Sequence, residues 1–356
     1  MKKLRIAQVS PLIESVPPKK YGGTERVVYY LTEGLVERGH EVTLFASGDS
    51  ATSARLIAPV KESLRLGRKI HSTTIMHMLM LSKVYEEMAG EFDIIHSHLE
   101  YLTLPYASCS RTPTVLTMHG RLDLPDYADI LKRYSSMAWV SISDSQRAPV
   151  PDINWVGTIY HGYPENLFEF NPDPEDYFLY LGRFSEEKRP DEAIRLARAC
   201  KIHLKLAAKI DTADKAYFKA KVEPLLDSPY IEYVGEVGDS RKGELLRNAK
   251  ALLNTIDWPE PFGLVMIEAL ACGTPVIVRR CGSSPEVITH GVTGFICDSQ
   301  LDFIRAIHNI GTISRIACRR EFEQRFTLRH MVDNYETLYR KVIAASSATD
   351  SLSSLP

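Results

Sequence analysis

Apolar positions in this chain fall into two kinds of run. Some are short and nearly continuous; others recur every third or fourth residue. Residues 4–10, 41–47, 92–96, 114–118 and 139–142 are of the first kind and predict short buried strands. Residues 24–38 are of the second kind, with Val27, Val28, Leu31 and Leu35 on one helical face. A loop rich in Pro and Gly, residues 11–23, joins the first strand to that helix. The pattern then restarts. Strands are predicted at 177–181, 204–207, 231–234 and 251–255, with helices at 190–199 and 242–249. Strands alternating with helices predict parallel sheets covered on both faces.

The restart implies two α/β domains. A chain of 356 residues is long enough for both. The joint falls near residues 163–176, where Pro164, Pro172 and Pro174 cluster. The expected division is 1–163, then 164–327. A final periodic helix at about 328–344 carries Met331, Tyr335, Leu338 and Val342. A Ser/Ala-rich tail, 345–356, is expected to be disordered.

Charge and composition narrow the partners. Lys and Arg number 43 against 45 acidic residues, a net charge of −2, which gives nucleic acid no electrostatic hold. Six cysteines lack CxxC pairing or zinc spacing and read as reduced core thiols of a cytoplasmic protein. The apolar run in MKKLRIAQVS is too short for a signal peptide, and no apolar stretch reaches membrane-spanning length.

The chemistry concentrates in one stretch, WPEPFGLVMIEALACGTPVIVRRCGSSPEVITHGVTG, residues 258–294. Glu260 and Glu268 flank Pro261-Phe262-Gly263-Leu264. Residues 265–272 predict a short apolar helix that Gly273-Thr274-Pro275 stops, and 275–278 a buried strand. Glu268 therefore lies within a buried helix, where an unpartnered carboxylate is costly. The helix start at 262–264 offers free N–H groups to an anion. Carboxylates for hydroxyls beside an anion site suit a nucleotide-sugar.

Other residues fit that ligand. Gly22 and Gly23, between strand and helix, allow positive φ and close backbone approach to a phosphate. They do not form GxGxxG, which argues against NAD and a dehydrogenase. Arg183 and Lys188 lie on a loop after a strand and could clamp a diphosphate, the alternative being a solvated loop with a Glu–Lys pair. His119 ends a predicted strand, and a capping or core role is the alternative.

With EPFGL, ACGTPV and PEV…GVTGF in register, residues 4–342 resemble the retaining glycosyltransferases of family 4, also called glycosyltransferase group 1. The resemblance implies the GT-B architecture, with two Rossmann-like doubly wound parallel-sheet domains facing across a cleft. It also implies that the 328–344 helix crosses back to the first domain. By resemblance, Glu260 holds hydroxyls of the transferred sugar and Glu268 the ribose hydroxyls. Phe262, Gly263 and Leu264 present amides to the sugar and phosphate. GGTER supports Gly22 and Gly23 in donor binding, and GR-x4-K supports Arg183 and Lys188 as the diphosphate pair. Arg189 is expected to be exposed. His119 would face the sugar near the reacting carbon, whereas His96 and His98 are read as structural or as lining the acceptor side. Gly235-Glu236-Val237 would meet the base through backbone groups, with Val237 among the donor contacts and uridine favoured.

The implied reaction transfers a sugar from a nucleotide-diphosphate donor to a hydroxyl acceptor with retention, through an oxocarbenium-like state. Arg183, Lys188 and helix N-termini would supply charge stabilisation. No DxD motif suits a metal–diphosphate, so neither metal nor cofactor is expected. The competing readings are a GT-B sugar-nucleotide epimerase and a non-catalytic nucleotide-sugar-binding protein. The acceptor, a saccharide, lipid-linked sugar or small molecule, would meet loops at 11–21, 61–80 and 121–127, which carry no readable code. Within these, the Met-rich 71–81 (HSTTIMHMLML) reads as a core helix, with an apolar acceptor wall as the alternative. Residues 61–69 (KESLRLGRK) read as a solvated helix face, with peripheral contact to an anionic membrane as the alternative.

Three departures from the commoner family pattern stand out. His161-Gly162-Tyr163-Pro164 replaces Asn-Gly-Val-Asp, Thr255 stands where Pro is frequent, and Arg279-Arg280 replaces smaller residues. None is expected to touch the donor contacts.

Overall fold

The computed structural model describes residues 2–19, 22–65 and 72–353. The chain divides into two compact units, residues 1–162 with 328–356, and residues 163–327.

The first unit is a seven-stranded parallel sheet. Its strands are β1 (Arg5–Val9), β2 (Glu41–Phe45), β3 (Arg55–Ile57), β4 (Ile94–Ser97), β5 (Thr114–Thr117), β6 (Ala138–Ser141) and β7 (Trp155–Thr158), in the order β3-β2-β1-β4-β5-β6-β7. Ile6 pairs with Val42 on one side and Ile94 on the other. Ile6, Ala7, Leu44, Ile94, Ile95 and Val115 are fully buried. A parallel sheet is covered on both faces, so its strands read as continuous apolar runs rather than alternation. The strand order reverses between β1 and β4, and at such a switch point the loops diverge and leave room for a ligand. Strands β3 and β7 escaped the sequence pattern because they are short and only partly buried.

The helix Leu328–Ser353 belongs to this unit. Val332 fits against Gly34, where a Cβ would lie 2.6 Å from its Cγ2. Tyr335 and Tyr339, both fully buried, reach the hydroxyl of Thr117 and the imidazole of His96, respectively. The expected disordered tail is corrected over residues 345–353, where the helix continues. This segment has no Pro or Gly to end it, and its Ala residues favour helix. Two acceptor-loop readings also change. Residues 61–65 form turns rather than a helix, with Leu64 buried and its N–H donating to the Leu12 carbonyl. The helix Thr73–Ser82 buries His77, Met80 and Leu81 but exposes Ile75, Met78 and Leu79, so only one face is core. The parts of the expected acceptor loops and of the 61–69 helix face that fall at residues 20–21 and 66–71 lie outside the described residues.

The second unit is a six-stranded parallel sheet of β8 (Phe178–Arg183), β9 (Leu204–Lys209), β10 (Ile231–Gly235), β11 (Ala251–Asn254), β12 (Val276–Arg279) and β13 (Gly294–Cys297), in the order β10-β9-β8-β11-β12-β13. Its switch point lies between β8 and β11. The helix Leu264–Ala271 buries Met266 through Ala271, Glu268 included. Arg315 staples this unit by donating to the carbonyls of Asn171, Arg247 and Ala249. Of the six cysteines, Cys272, Cys297 and Cys318 are buried, whereas Cys109 is exposed.

Candidate active site

In the second unit the switch point sets two loops side by side. β8 ends at Arg183 and runs into the turn Glu186–Lys188; β11 ends at Asn254 and runs on to Trp258 and Glu260. The Lys188 ammonium donates to Glu260 Oε2, and Trp258 Nε1 donates to the same oxygen at 2.8 Å. Lys188 also lies 5.3 Å from the centre of the Trp258 ring. Glu260 is thus oriented by a cation and an indole, with most of its side chain shielded from water.

The loop beyond Glu260 is shaped from below. Gly263 takes φ 79° and caps the helix Leu264–Ala271, a left-handed conformation in which a side chain would be strained. Phe262 is buried, its ring edge-on to Phe326, and its carbonyl accepts from the Ser283 hydroxyl at 2.7 Å. The Ser283 N–H donates to the Glu260 carbonyl at 3.0 Å. Gly282 lies so close that a Cβ would sit 2.4 Å from the Glu260 backbone nitrogen and oxygen. At the helix start, the Met266 N–H already donates to the Gly263 carbonyl at 3.0 Å, which leaves the N–H groups of Leu264 and Val265, ahead of the first helical carbonyl, as the ones an anion placed there would meet.

Glu268 mirrors Glu260. It is 4% exposed, and its Oε1 accepts from the Tyr163 hydroxyl at 2.8 Å and from Lys242 Nζ at 2.6 Å. Among the described residues no hydrogen bond reaches its Oε2. Each carboxylate therefore has one oxygen held by a lysine and an aromatic donor, and a second oxygen that a ligand hydroxyl could meet. Lys242 lies on the helix Asp239–Asn248, which follows the Gly235-Glu236-Val237 loop. Val237 itself is half-buried.

Arg183 is differently placed. It pairs with Glu187, and lies 3.4 Å from Asp214 and 3.9 Å from Asp211. A diphosphate at Arg183 would have to exchange with these carboxylates. Arg189 is not exposed as expected. In left-handed conformation (φ 51°), it is half-buried and bonds Asp191, Glu192 and Asp257. Acidic neighbours in the first turn of the helix Pro190–Cys200 and on the loop after β11 capture a guanidinium that the sequence places next to solvent.

The three departures do reach this site. Tyr163 holds Glu268. The Thr255 hydroxyl donates to the Arg189 carbonyl at 2.7 Å, bracing the turn that presents Lys188. Arg279 bonds Glu192 at 2.6 Å and lies 3.6 Å from Asp257, so it helps tie the loop after β11 to the helix Pro190–Cys200 that follows the Lys188 turn. The expectation that none touches the donor contacts is corrected. Trp258, Tyr163, Lys242 and Gly282 were given no role from sequence. Only Gly282, in CGSSPE between a strand and a helix, carried a local signal.

In the first unit, Gly22 takes φ 155° ahead of the helix Gly23–Glu37, and a Cβ there would lie 2.7 Å from Pro18. Glu25 in the first turn is 5% exposed, and burial pushes its carboxyl up to about 7, with nearby Glu14 adding to the rise. His119 follows β5. Its Nε2 lies 2.8 Å from His98 Nδ1, and its ring stacks on His161 at 5.3 Å. His98 in turn meets the Gln8 amide oxygen at 2.9 Å. His96 bonds Thr117 and Tyr339, each at 2.6 Å, which is a structural link from sheet to C-terminal helix. Burial drives all four imidazoles down, His119 to about 3, so they stay neutral at physiological pH. His119 is only half-buried by surface area, and a neutral ring can still exchange a hydrogen bond with a hydroxyl.

Two doubly wound units in one chain, the second with paired carboxylates and lysines at its switch point, define the GT-B class of sugar-transferring enzymes. A sequence model described as "Glycosyl transferases group 1" matches residues 164–313, and one described as "Glycosyltransferase Family 4" matches residues 21–148. The chain belongs to this family of glycosyltransferases. It is 24% identical to N-acetyl-alpha-D-glucosaminyl L-malate synthase of Bacillus anthracis, over 90% of this chain and 94% of that protein. Among solved structures it resembles AviGT4, a glycosyltransferase involved in avilamycin A biosynthesis, with TM-score 0.74, 23% identity and coverage of 96% and 98%. It also resembles Anabaena HepE in complex with UDP and glucose, with TM-score 0.70, 18% identity and coverage of 99% and 100%. Among the described residues, no helix is long and apolar enough to cross a membrane.

Proposed function

We propose that the chain transfers a sugar from a nucleoside-diphosphate donor, with a UDP-sugar favoured, to a hydroxyl acceptor with retention of configuration. The observation that carries this reading is the matched pair of held carboxylates, Glu260 with Lys188 and Trp258, and Glu268 with Lys242 and Tyr163. Glu260 takes hydroxyls of the transferred sugar and Glu268 those of the ribose. Lys188 has donors beyond the one given to Glu260 and can serve the diphosphate as well. Together with Arg183 and the amides of Gly263 and Leu264, it offsets the charge that grows on the leaving diphosphate. Such fixed cations do the work a metal would otherwise do, so the reaction needs none. The solved HepE complexes with UDP and UDP-glucose favour uridine by analogy.

His119, neutral at working pH, is suited to bond a sugar hydroxyl rather than to donate a proton. Gly22 and Gly23 bring backbone to the phosphates, and Val237 meets the base. Neither an epimerase nor a binding protein is favoured by any feature of the site. The test is thermal shift over UDP-, GDP- and ADP-sugars, followed by nucleotide release with and without an acceptor panel. A UDP-sugar should raise the melting temperature most and be slowly turned over. Stabilisation by a GDP- or ADP-sugar instead would overturn the uridine choice, and binding without any release would overturn transfer.

A further inference from the structure

Tyr163 is more than a partner of Glu268. The chain passes into the second unit at Tyr163 and leaves it at Thr327, and these two residues pair as a parallel β-bridge. The Tyr163 N–H donates to the Phe326 carbonyl at 3.0 Å. Its ring is 1% exposed and stands edge-on to Phe168, over which Lys242 also lies. One residue therefore holds both crossover segments with its backbone and the buried carboxylate with its hydroxyl. A valine, common here in the family, could make the backbone contacts but not the bond to Glu268.

We infer that Tyr163 is a positioning residue that couples nucleotide binding at Glu268 to the pairing of the two crossover segments. This rests on the reading of Glu268 as the ribose contact. Tyr163 and Lys242 both bond Oε1, which fixes the carboxylate plane and turns Oε2 toward a ligand. A ribose hydroxyl donating to Oε2 holds the carboxylate in that plane. The Tyr163 hydroxyl is then held too, and with it the backbone that carries the Phe326 bond. Binding and crossover pairing share one side chain, so each stabilises the other by the same factor.

Amide hydrogen exchange at Tyr163, compared in the full chain with and without saturating UDP, reads this coupling. UDP should slow exchange there roughly fivefold or more in the wild type and less than about twofold in Tyr163→Phe, whose ring packing is kept. The variant should bind UDP roughly three- to tenfold more weakly, because Lys242 still holds the carboxylate. A dideoxy-UDP lacking both ribose hydroxyls should bind the wild type without slowing that amide, a comparison that needs no variant. If Tyr163→Phe melted lower yet kept the UDP-dependent slowing, its role would be structural and the coupling would be wrong. Equal slowing by UDP and dideoxy-UDP would overturn it as well, with the donor reading intact. Should none of UDP, ADP and GDP bind the wild type, the donor reading itself would fall, taking the coupling with it. If ADP or GDP bound instead, the same comparison would use that nucleotide and its dideoxy form.

Discussion

Replacing Lys242 with Met isolates the energetics of the buried carboxylate. The side chains of Lys242 and Glu268 are 13% and 6% exposed and meet at 2.6 Å. Met keeps most of the stem volume and removes the charge, and with it the ammonium's place over the Phe168 ring. Breaking a buried ion pair from one side costs about 3–5 kcal/mol, because the remaining charge is left desolvated. Tyr163 still donates to Glu268, so the expected loss is about 2–4 kcal/mol. Urea unfolding followed by hydrogen exchange in the helix Leu264–Ala271 reads the second unit alone. The decisive comparison adds Glu268→Gln. A neutral amide needs no counter-ion, so the double variant should be more stable than the sum of the two single losses by about 1–3 kcal/mol. Nucleotide affinity separates the partners further. Glu268→Gln should weaken it about ten- to a hundredfold, whether or not Lys242 is present. A Lys242→Met loss below about 0.5 kcal/mol, or strictly additive variants, would refute the view that Lys242 is what makes a buried Glu268 tolerable.

Other outcomes follow from the same geometry. Gly282→Ala should cost at least about 2 kcal/mol and abolish transfer, because the methyl would strike the Glu260 backbone at a position already at φ 55°; a stable, active variant by melting and turnover assays would contradict this. Glu187→Gln frees Arg183 from a competing carboxylate and should tighten nucleoside-diphosphate binding roughly two- to fivefold at low salt, by calorimetry; weaker binding would mean that Glu187 holds Arg183 in its productive place. The first unit should lose stability in acid. His96, His98, His119 and His161 have pKa values depressed by burial, so the unfolded chain takes up protons first as pH falls below about 6.5. Their contribution is complete above that value and is lost toward the folded values, each at up to about 1.4 kcal/mol per pH unit. Glu25, raised to about 7, acts in the opposite sense, with its contribution lost as pH rises through about 7. His40 and His77, also lowered by burial in this unit, act in the same sense as those four, so six groups against one predict a lower melting temperature of this unit at pH 5.5 than at pH 7.5, and no fall between them would refute the assignment of neutral buried imidazoles.

The sequence by itself determined the two sheets and the main ligand-bearing loop. Strands such as Arg5–Val9 and Ala251–Asn254 were legible because both of their faces are buried, which writes a continuous apolar run into the chain. The loop from Trp258 to the helix Leu264–Ala271 was legible because its glycine, prolines and apolar run are local punctuation. Edge strands such as Arg55–Ile57, partly exposed, left no such mark.

What holds each carboxylate was decided only by tertiary structure. Lys188 meets Glu260 across 72 positions, and Tyr163 meets Glu268 across 105. Neither the spacing nor the residue type at one end announces the other. The same holds for Arg189, which local reading placed in solvent and which the fold hands to Asp257 on the neighbouring loop. Periodicity records which side of an element faces the core, because burial acts on every residue along it. Pairing of charged and aromatic side chains depends on where the switch point sets two distant loops, and that is fixed only when the sheet has assembled.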